Sequence, residues 1–249
     1  NIGNAIHEAL NKSYPKGVIT SQSVNQIKED LLRKVEEEFV EEMKGEDVSK
    51  GKNYLSLEIS KKLAQNFVEF EERLLKKLNS RGGTLNILES EGEFEHQLQV
   101  NQKPFTIKGK VDRVDEMNNQ LRIIDYKTGK VSKSDVSIPD FNELLENPNK
   151  AKAFQLLVYA YIYLKNNPQY SDREVIAGNF SFKNLKEGLL TVAKSINRKK
   201  EIIIINKAVL NNVEEIITEV IDKIMNEDFR KTTEISRCEY CDYRSICNR

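Results

Sequence analysis

The stretch Gly109-Lys-Val-Asp112-Arg-Val-Asp115-Glu-Met-Asn-Asn-Gln-Leu121-Arg-Ile-Ile-Asp125-Tyr-Lys127-Thr-Gly129 decides how this chain folds. Ile107, Gly109, Val111 and Val114 make an apolar-rich run, and Leu121, Ile123 and Ile124 make a second. Between them lies Met117-Asn-Asn-Gln120, and paired asparagines tolerate the left-handed backbone of a tight turn. The spacing predicts a β-hairpin. Asp112, Asp125 and Lys127 interrupt strands that otherwise look buried. Charges inside a sheet are costly unless they pair or hold a metal. A conflict between local pattern and residue choice marks a candidate site.

The chemistry follows from residue type. Two carboxylates form a hard oxygen site suited to Mg²⁺ or Mn²⁺. Asp125 and Lys127 are two apart on one strand and so face the same side. Asp112 reaches them from the neighbouring strand. The Tyr126 side chain points away, but its carbonyl is a further candidate ligand. A lysine beside a dication can orient a water, and a phosphodiester is the fitting target. The competing reading is a structural ion pair, Asp125 with Lys127 or Asp112 with Arg113.

Gly109-x-x-Asp112-Arg113-x-Asp115 followed by Ile-Ile-Asp125-Tyr-Lys127-Thr-Gly129 resembles the PD-(D/E)XK nucleases, and within them the RecB/AddB-type exonuclease branch. The resemblance implies an α/β (α+β) chain. Its restriction-endonuclease-like core would have a mixed central sheet flanked by helices, with long N-terminal helices added. It implies Asp112 and Asp125 as metal-binding acids and Lys127 as the catalytic lysine. Gly3-Asn-Ala-Ile-His7-Glu-Ala-Leu is similar to the family's N-terminal helix motif, which makes His7 a candidate ligand. Gln155 and Tyr159 share a helix face and match the family's Gln-x-x-x-Tyr motif, which helps place DNA and supports the site. The family often carries a glutamate on the strand before the hairpin; Glu91, Glu93 and Glu95 compete for that role.

The tail Cys238-x-x-Cys241-x5-Cys247 is a second signal. Three close thiols suit a soft metal or cluster, which usually takes a fourth ligand. AddB-like nucleases resemble this tail and hold a [4Fe-4S] cluster with one further cysteine upstream of the His helix. That position would fall just before Asn1, so a truncated chain or a lost cluster is expected. The rival reading of the tail is a zinc-binding interaction domain.

Elsewhere the chain reads as follows. Asn1 to Tyr14 is a short helix. Thr20 to Lys44 is a long one, with Val24, Ile27, Leu31, Leu32, Val35 and Phe39 inward and Glu36-Glu-Glu38 solvated. Asn53 to Leu78 is another, with Leu55, Ile59, Leu63, Phe67, Phe70, Leu74 and Leu78 on its apolar face. Leu85 to Val100 reads as a strand or a pair of short ones, and its alternation makes His96 a packing residue. Val131 to Lys150 is a polar connection, mobile and bordering the substrate groove. Lys152 to Leu164 is a buried helix. Further strands fall at 174–182, 188–196 and 199–205. Arg198, Lys199 and Lys200 form a small basic cluster, read as a solvated turn, with contact to phosphates as the alternative. Asn211 to Asn226 is an amphipathic packing helix, with Ile224 among its apolar residues.

The chain has 249 residues, 39 basic and 39 acidic, so its formal net charge is zero. A nucleic-acid partner therefore needs a local basic patch. No apolar run is long enough to span a bilayer and no signal peptide is visible; no membrane partner and a cytoplasmic location are the expectations. The expectation is one nuclease domain over 1–249, with 20–80 a helical layer or insertion and 237–249 a cysteine-rich tail. It would be a fragment of a larger DNA-repair protein working on DNA beside a helicase. The alternative is an inactive DNA-binding or scaffold module.

Overall fold

The computed structural model describes residues 2–196, 199–228, 230–239 and 241–248. Asn1, Arg198 of the basic turn and Tyr240 of the tail lie outside the described residues.

The hairpin forms as its sequence requires. β1 is Gly17–Val18, β2 Leu85–Val100, β3 Lys103–Met117 and β4 Gln120–Lys127. Asn118 and Asn119 both take positive φ, 53° and 66°, and Met117 faces Gln120 across the turn. Asn101 and Gln102 do the same between β2 and β3. Asn is among the side chains that accept this region most readily. The result is three antiparallel strands with two tight turns.

The remaining strands are β5 Ser137–Ile138, β6 Val175–Ser181, β7 Leu190–Thr191, β8 Ala193–Ile196 and β9 Lys199–Ile202. The main sheet runs β1-β2-β3-β4-β6-β7; β5, β8 and β9 form a second, small sheet. β4 and β6 are parallel, with Asp125 facing Asn179 and Lys127 facing Ser181. A parallel pair needs a crossover, usually a helix. α4 (Glu143–Glu146) and α5 (Ala151–Asn166) lie in that connection, and α6 (Lys207–Asn226) follows the second sheet. At the N-terminal end are α1 (Ile2–Ser13), α2 (Ser21–Glu42) and α3 (Gly51–Asn79). Thr20 caps α2: its hydroxyl accepts from the Ser23 N–H at 3.1 Å.

The two faces of the sheet bury different layers. Val114, Leu121 and Ile123 pack with Leu156, Leu157 and Ala160 of α5 and Ile216 and Ile217 of α6. Ile124, Tyr126 and Phe180 pack with α1, α2 and α3, through Ile6, Leu31 and Phe67 among others. The expected mixed sheet flanked by helices is what forms.

Several details differ from the sequence reading. On α3 the buried stripe is Leu57, Ala64, Phe67, Val68, Leu75 and Leu78, while Leu55 and Ile59 are exposed. The helix rotates to bring Glu71 inward, so the apolar pattern alone misplaced its face. Leu32 and Ile224 are likewise exposed. Glu38 is buried, not solvated, and accepts from Lys12 Nζ at 2.6 Å. The 131–150 connection is anchored: Val131, Val136, Ile138 and Leu144 all join the core, and Ser137 pairs with Ala193. His96 does pack, with its ring edge-on to Tyr161 at 5.5 Å.

The reason α3 turns Glu71 inward is a dry charge network. Arg113 Nη1 donates to Glu71 Oε1 at 2.8 Å and Nε to Asp115 Oδ2 at 2.7 Å. Arg122 Nε and Nη2 donate to the same Asp115 at 2.6 and 2.8 Å. None of the four residues is more than 2% exposed. Two acids and two guanidiniums balance. Burial would push the Asp115 carboxyl up, but Arg122 and Arg113 outweigh it and hold it below its ordinary value. Removing one partner strands the other charge in a low-dielectric site. Glu71→Ala should therefore cost about 3–5 kcal/mol of stability in urea denaturation. A loss under about 1 kcal/mol would show that the network does not fasten α3 to the sheet.

Candidate active site

β3 and β4 pair as far as Arg113 and Ile124. The next residues along each strand are Asp112 and Asp125, which face each other where the ladder stops. Glu91 lies between Ser90 and Gly92, which pair with Arg113 and Val111, so it faces Asp112 from the other side. Asn179 faces Asp125 on β6. The residues Glu91, Asp112, Asp125 and Asn179 thus form one row across four strands.

Each member has a distinct hold. Asp112 Oδ2 accepts the Tyr126 backbone N–H at 2.6 Å, and Oδ1 lies 3.4 Å from His7 Nδ1. Asp125 accepts from Lys127 Nζ at 3.0 Å on Oδ1, and from Asn179 Nδ2 at 2.7 Å on Oδ2. Lys127 also donates to Gln155 Oε1 at 2.9 Å, and Gln155 Nε2 donates to the Tyr159 hydroxyl at 2.8 Å. Gln155 and Tyr159 are one helical turn apart on α5, which is why they meet. Gly109 lets this helix approach: a Cβ there would lie 3.2 Å from both Ile162 and Tyr159. Glu91 accepts from Lys110 at 2.6 Å through Oε2, while Oε1 is buried without a hydrogen-bond partner among the described residues.

Charge crowding shows in the titration of the row. Burial, then the neighbouring Asp112 charge, pushes Asp125 up to about 6, against the pull of Lys127. Burial likewise raises Glu91. Burial opposes protonation of His7, but its hydrogen bond to Asp112 and the charges of Asp112 and Glu91 outweigh this and raise its pKa.

His7, Glu91 and Asp112 each offer a ligand atom, and these atoms lie within 4.8 Å of one another. An imidazole and two carboxylates, one of them with an orphaned buried oxygen, fit a hard divalent cation. The set differs from the sequence reading in two ways. Glu91 joins it, chosen from three candidates; Glu93 and Glu95 are exposed, and Glu95 pairs with Lys108. Asp125 adjoins it in the row but is held by Lys127 and Asn179. The structural pair Asp112–Arg113 does not form, because Arg113 turns to Glu71 and Asp115 on the opposite face. The Asp125–Lys127 pair does form, within the row. The Tyr126 side chain is buried beside Phe67 and Phe182, and its backbone N–H is bonded to Asp112 in the row. Cys238, Cys241 and Cys247 are free thiols outside the set, the first buried and the second exposed.

Asn179 went unread in the sequence, although an asparagine inside Val175-Ile-Ala-Gly-Asn-Phe is a polar residue in a fully buried strand. Lys110, the partner of Glu91, carried no signal beyond its alternation on β3.

A family model described as the PD-(D/E)XK nuclease superfamily matches residues 1–248. Over 89 residues the chain is 36% identical to an ATP-dependent helicase/deoxyribonuclease subunit of Carboxydothermus hydrogenoformans. That match covers 34% of this chain and 7% of the relative, so the chain corresponds to a small part of it. A solved structure, "Crystal structure of SSO0001", aligns over 89% of this chain and 96% of its own, at 18% identity and a TM-score of 0.34.

Two measurements bear on the row. Glu91→Gln should weaken Mn²⁺ binding about tenfold or more by isothermal titration calorimetry, a typical loss on altering a metal's surroundings, and Glu93→Gln should not. Equal affinities would remove Glu91 from the set. Asn179→Ala should lower stability by about 1–3 kcal/mol in chemical denaturation, since Asp125 loses a buried donor.

Proposed function

The chain belongs to the PD-(D/E)XK nuclease superfamily, and from that premise we propose that it is a Mg²⁺- or Mn²⁺-dependent deoxyribonuclease, an exonuclease of the AddB/RecB kind. The observation that carries this is the carboxylate row of Glu91, Asp112 and Asp125 with Lys127 bonded into it. An inactive scaffold has no need of three crowded acids and a lysine at one point in a sheet.

In this reading Asp112, Asp125 and Glu91 would hold the cation, with His7 and the Tyr126 carbonyl as further candidate ligands. When bound, it would supply Lewis acidity to a phosphodiester and to water. The residues supply positioning. Tyr126 N–H fixes one oxygen of Asp112 and leaves the other toward His7. Asn179 and Lys127 fix the Asp125 rotamer. Lys127, braced by Gln155, directs its remaining donor capacity at the attacking water or at charge developing on phosphate oxygens. Tyr159 braces Gln155 in turn, so α5 transmits its own rigidity to the lysine.

The wider role is a proposal of the same standing. The domain spanning 1–249 would act on DNA in double-strand-break repair or recombination, as the nuclease part of a larger cytoplasmic protein working with a helicase. Similarity to part of a helicase/deoxyribonuclease supports it. Among the described residues no helix is long and apolar enough to cross a membrane. The tail cysteines Cys238, Cys241 and Cys247 would complete a [4Fe-4S] cluster with an upstream cysteine.

Asp125→Ala or Lys127→Ala should lower cleavage of linear DNA by about 100-fold or more, as loss of a transition-state donor does. DNA binding should stay within a few-fold, and EDTA should stop the unmodified protein. Wild-type cleavage by a purified Lys127→Ala protein would remove the mechanism.

A further inference from the structure

Beyond Lys127 the parallel strands β4 and β6 end side by side, and the loops that leave them are stitched together. Phe182 N–H donates to the Lys127 carbonyl at 2.9 Å, and Ser181 Oγ donates to the Gly129 carbonyl at 2.9 Å. Val131 N–H donates to Ser181 Oγ at 3.2 Å, and Asn184 Nδ2 to the Val131 carbonyl at 3.4 Å. The two loops therefore make one surface that starts at the active-site lysine.

That surface carries Lys130, Lys183 and Lys186, all exposed. Among the described residues none of the three makes an ion pair. Lys133 stands on the same surface and is paired with Glu187 at 2.6 Å. The second sheet abuts it, since Lys200 of β9 lines a cleft of about 130 Å³ together with Lys133 and Glu187. Lys199 and Lys200 face Ile196 and Ser195 across their strand pair, not acids.

The other border of the row is different. Lys16 pairs with Glu89, Lys108 with Glu95, and Lys110 with Glu91 and Glu8. Each of these three lysines is already neutralised. Among the described residues close to the row, the unpaired lysines gather on the β4–β6 side. A chain with zero net charge has no global field to attract a polyanion, so a local excess decides where it docks.

We propose that the lysine shelf formed by Lys130, Lys183 and Lys186, extended by Lys199 and Lys200, carries the phosphate backbone of the nucleic-acid strand flanking the scissile bond. The shelf rests on the nuclease reading above for the position of that bond. Its contacts are to phosphates and so are independent of sequence. The strand leaves the row over the ends of β4 and β6 and away from α1 and the β2–β3 hairpin.

The test compares two triple variants with the same change of charge. The first is Lys130→Glu, Lys183→Glu and Lys186→Glu. The second is Lys52→Glu, Lys62→Glu and Lys77→Glu, three exposed positions on α3. Binding of a fluorescein-labelled single strand of about 30 nucleotides, long enough to cross the site and the shelf together, is followed by fluorescence anisotropy in Ca²⁺, across a range of salt. Thermal melts check that both variants fold. The shelf variant should bind at least about tenfold more weakly, and its log affinity against log salt should lose a slope of about 2, at roughly 0.7 per contact. The α3 variant should match the unmodified protein. Equal weakening in both variants, or no binding by the unmodified protein, would overturn the shelf. Shelf-dependent binding without any Mg²⁺-dependent cleavage would instead leave the shelf standing and remove the nuclease reading.

Discussion

Like charges brought together inside a sheet repel one another, and this structure places three carboxylates in a row at the point where β3 and β4 cease to pair. Nothing apolar can stabilise that arrangement. It persists because each acid has its own positive or donating partner: Lys110 on Glu91, the Tyr126 N–H on Asp112, Lys127 and Asn179 on Asp125. The cost of burial, and of crowding after it, is only partly relieved, as the raised Glu91 and Asp125 show. A cation placed at such a site would relieve the repulsion among these acids.

The same strands solve a second charge problem on their other face. Strand residues alternate sides, so Asp112 and Arg113 point apart although they are adjacent. Arg113 and Arg122 enclose Asp115, and Glu71 of α3 closes the set. This pins the helical layer directly behind the row. The Tyr126 ring lies in that layer while its N–H serves Asp112, so one residue couples the two faces. Rigid backing of this kind keeps carboxylates from relaxing apart.

Much of this was legible. Two left-handed asparagines in a turn, alternating strands and a helix-spaced Gln155–Tyr159 pair are local patterns, and local patterns survive folding. Asp112, Asp125 and Lys127 stood out because their type contradicted their surroundings, and His7 because the helix around it resembles a family motif. What escaped was decided by contacts distant in sequence. Glu71 looked like one more acid on an amphipathic helix, and only Arg113, 42 residues on, turns it inward and rotates Leu55 and Ile59 outward. Glu38 was hidden in an acidic run for the same reason, its partner Lys12 lying on another helix. Glu91 was one of three equivalent glutamates until its own positive φ of 51° and the register of β2 against β3 separated it. Asn179 needed the parallel pairing of β4 with β6, which no local pattern specifies.

The division of labour within the row follows from which oxygens are already occupied. Both oxygens of Asp125 have donors, so its first task in the free protein is to aim Lys127. Among the described residues Glu91 Oε1 has no hydrogen-bond donor, and Asp112 Oδ1 faces the His7 ring. Added positive charge would therefore settle first toward Glu91, Asp112 and His7, and would engage Asp125 by competing with Lys127. Lys127 would stay in the row through that exchange, because Gln155 holds Nζ from the α5 side. The lysine is thus kept in the row by an uncharged tether as well as by its acid, and its position does not depend on Asp125 alone.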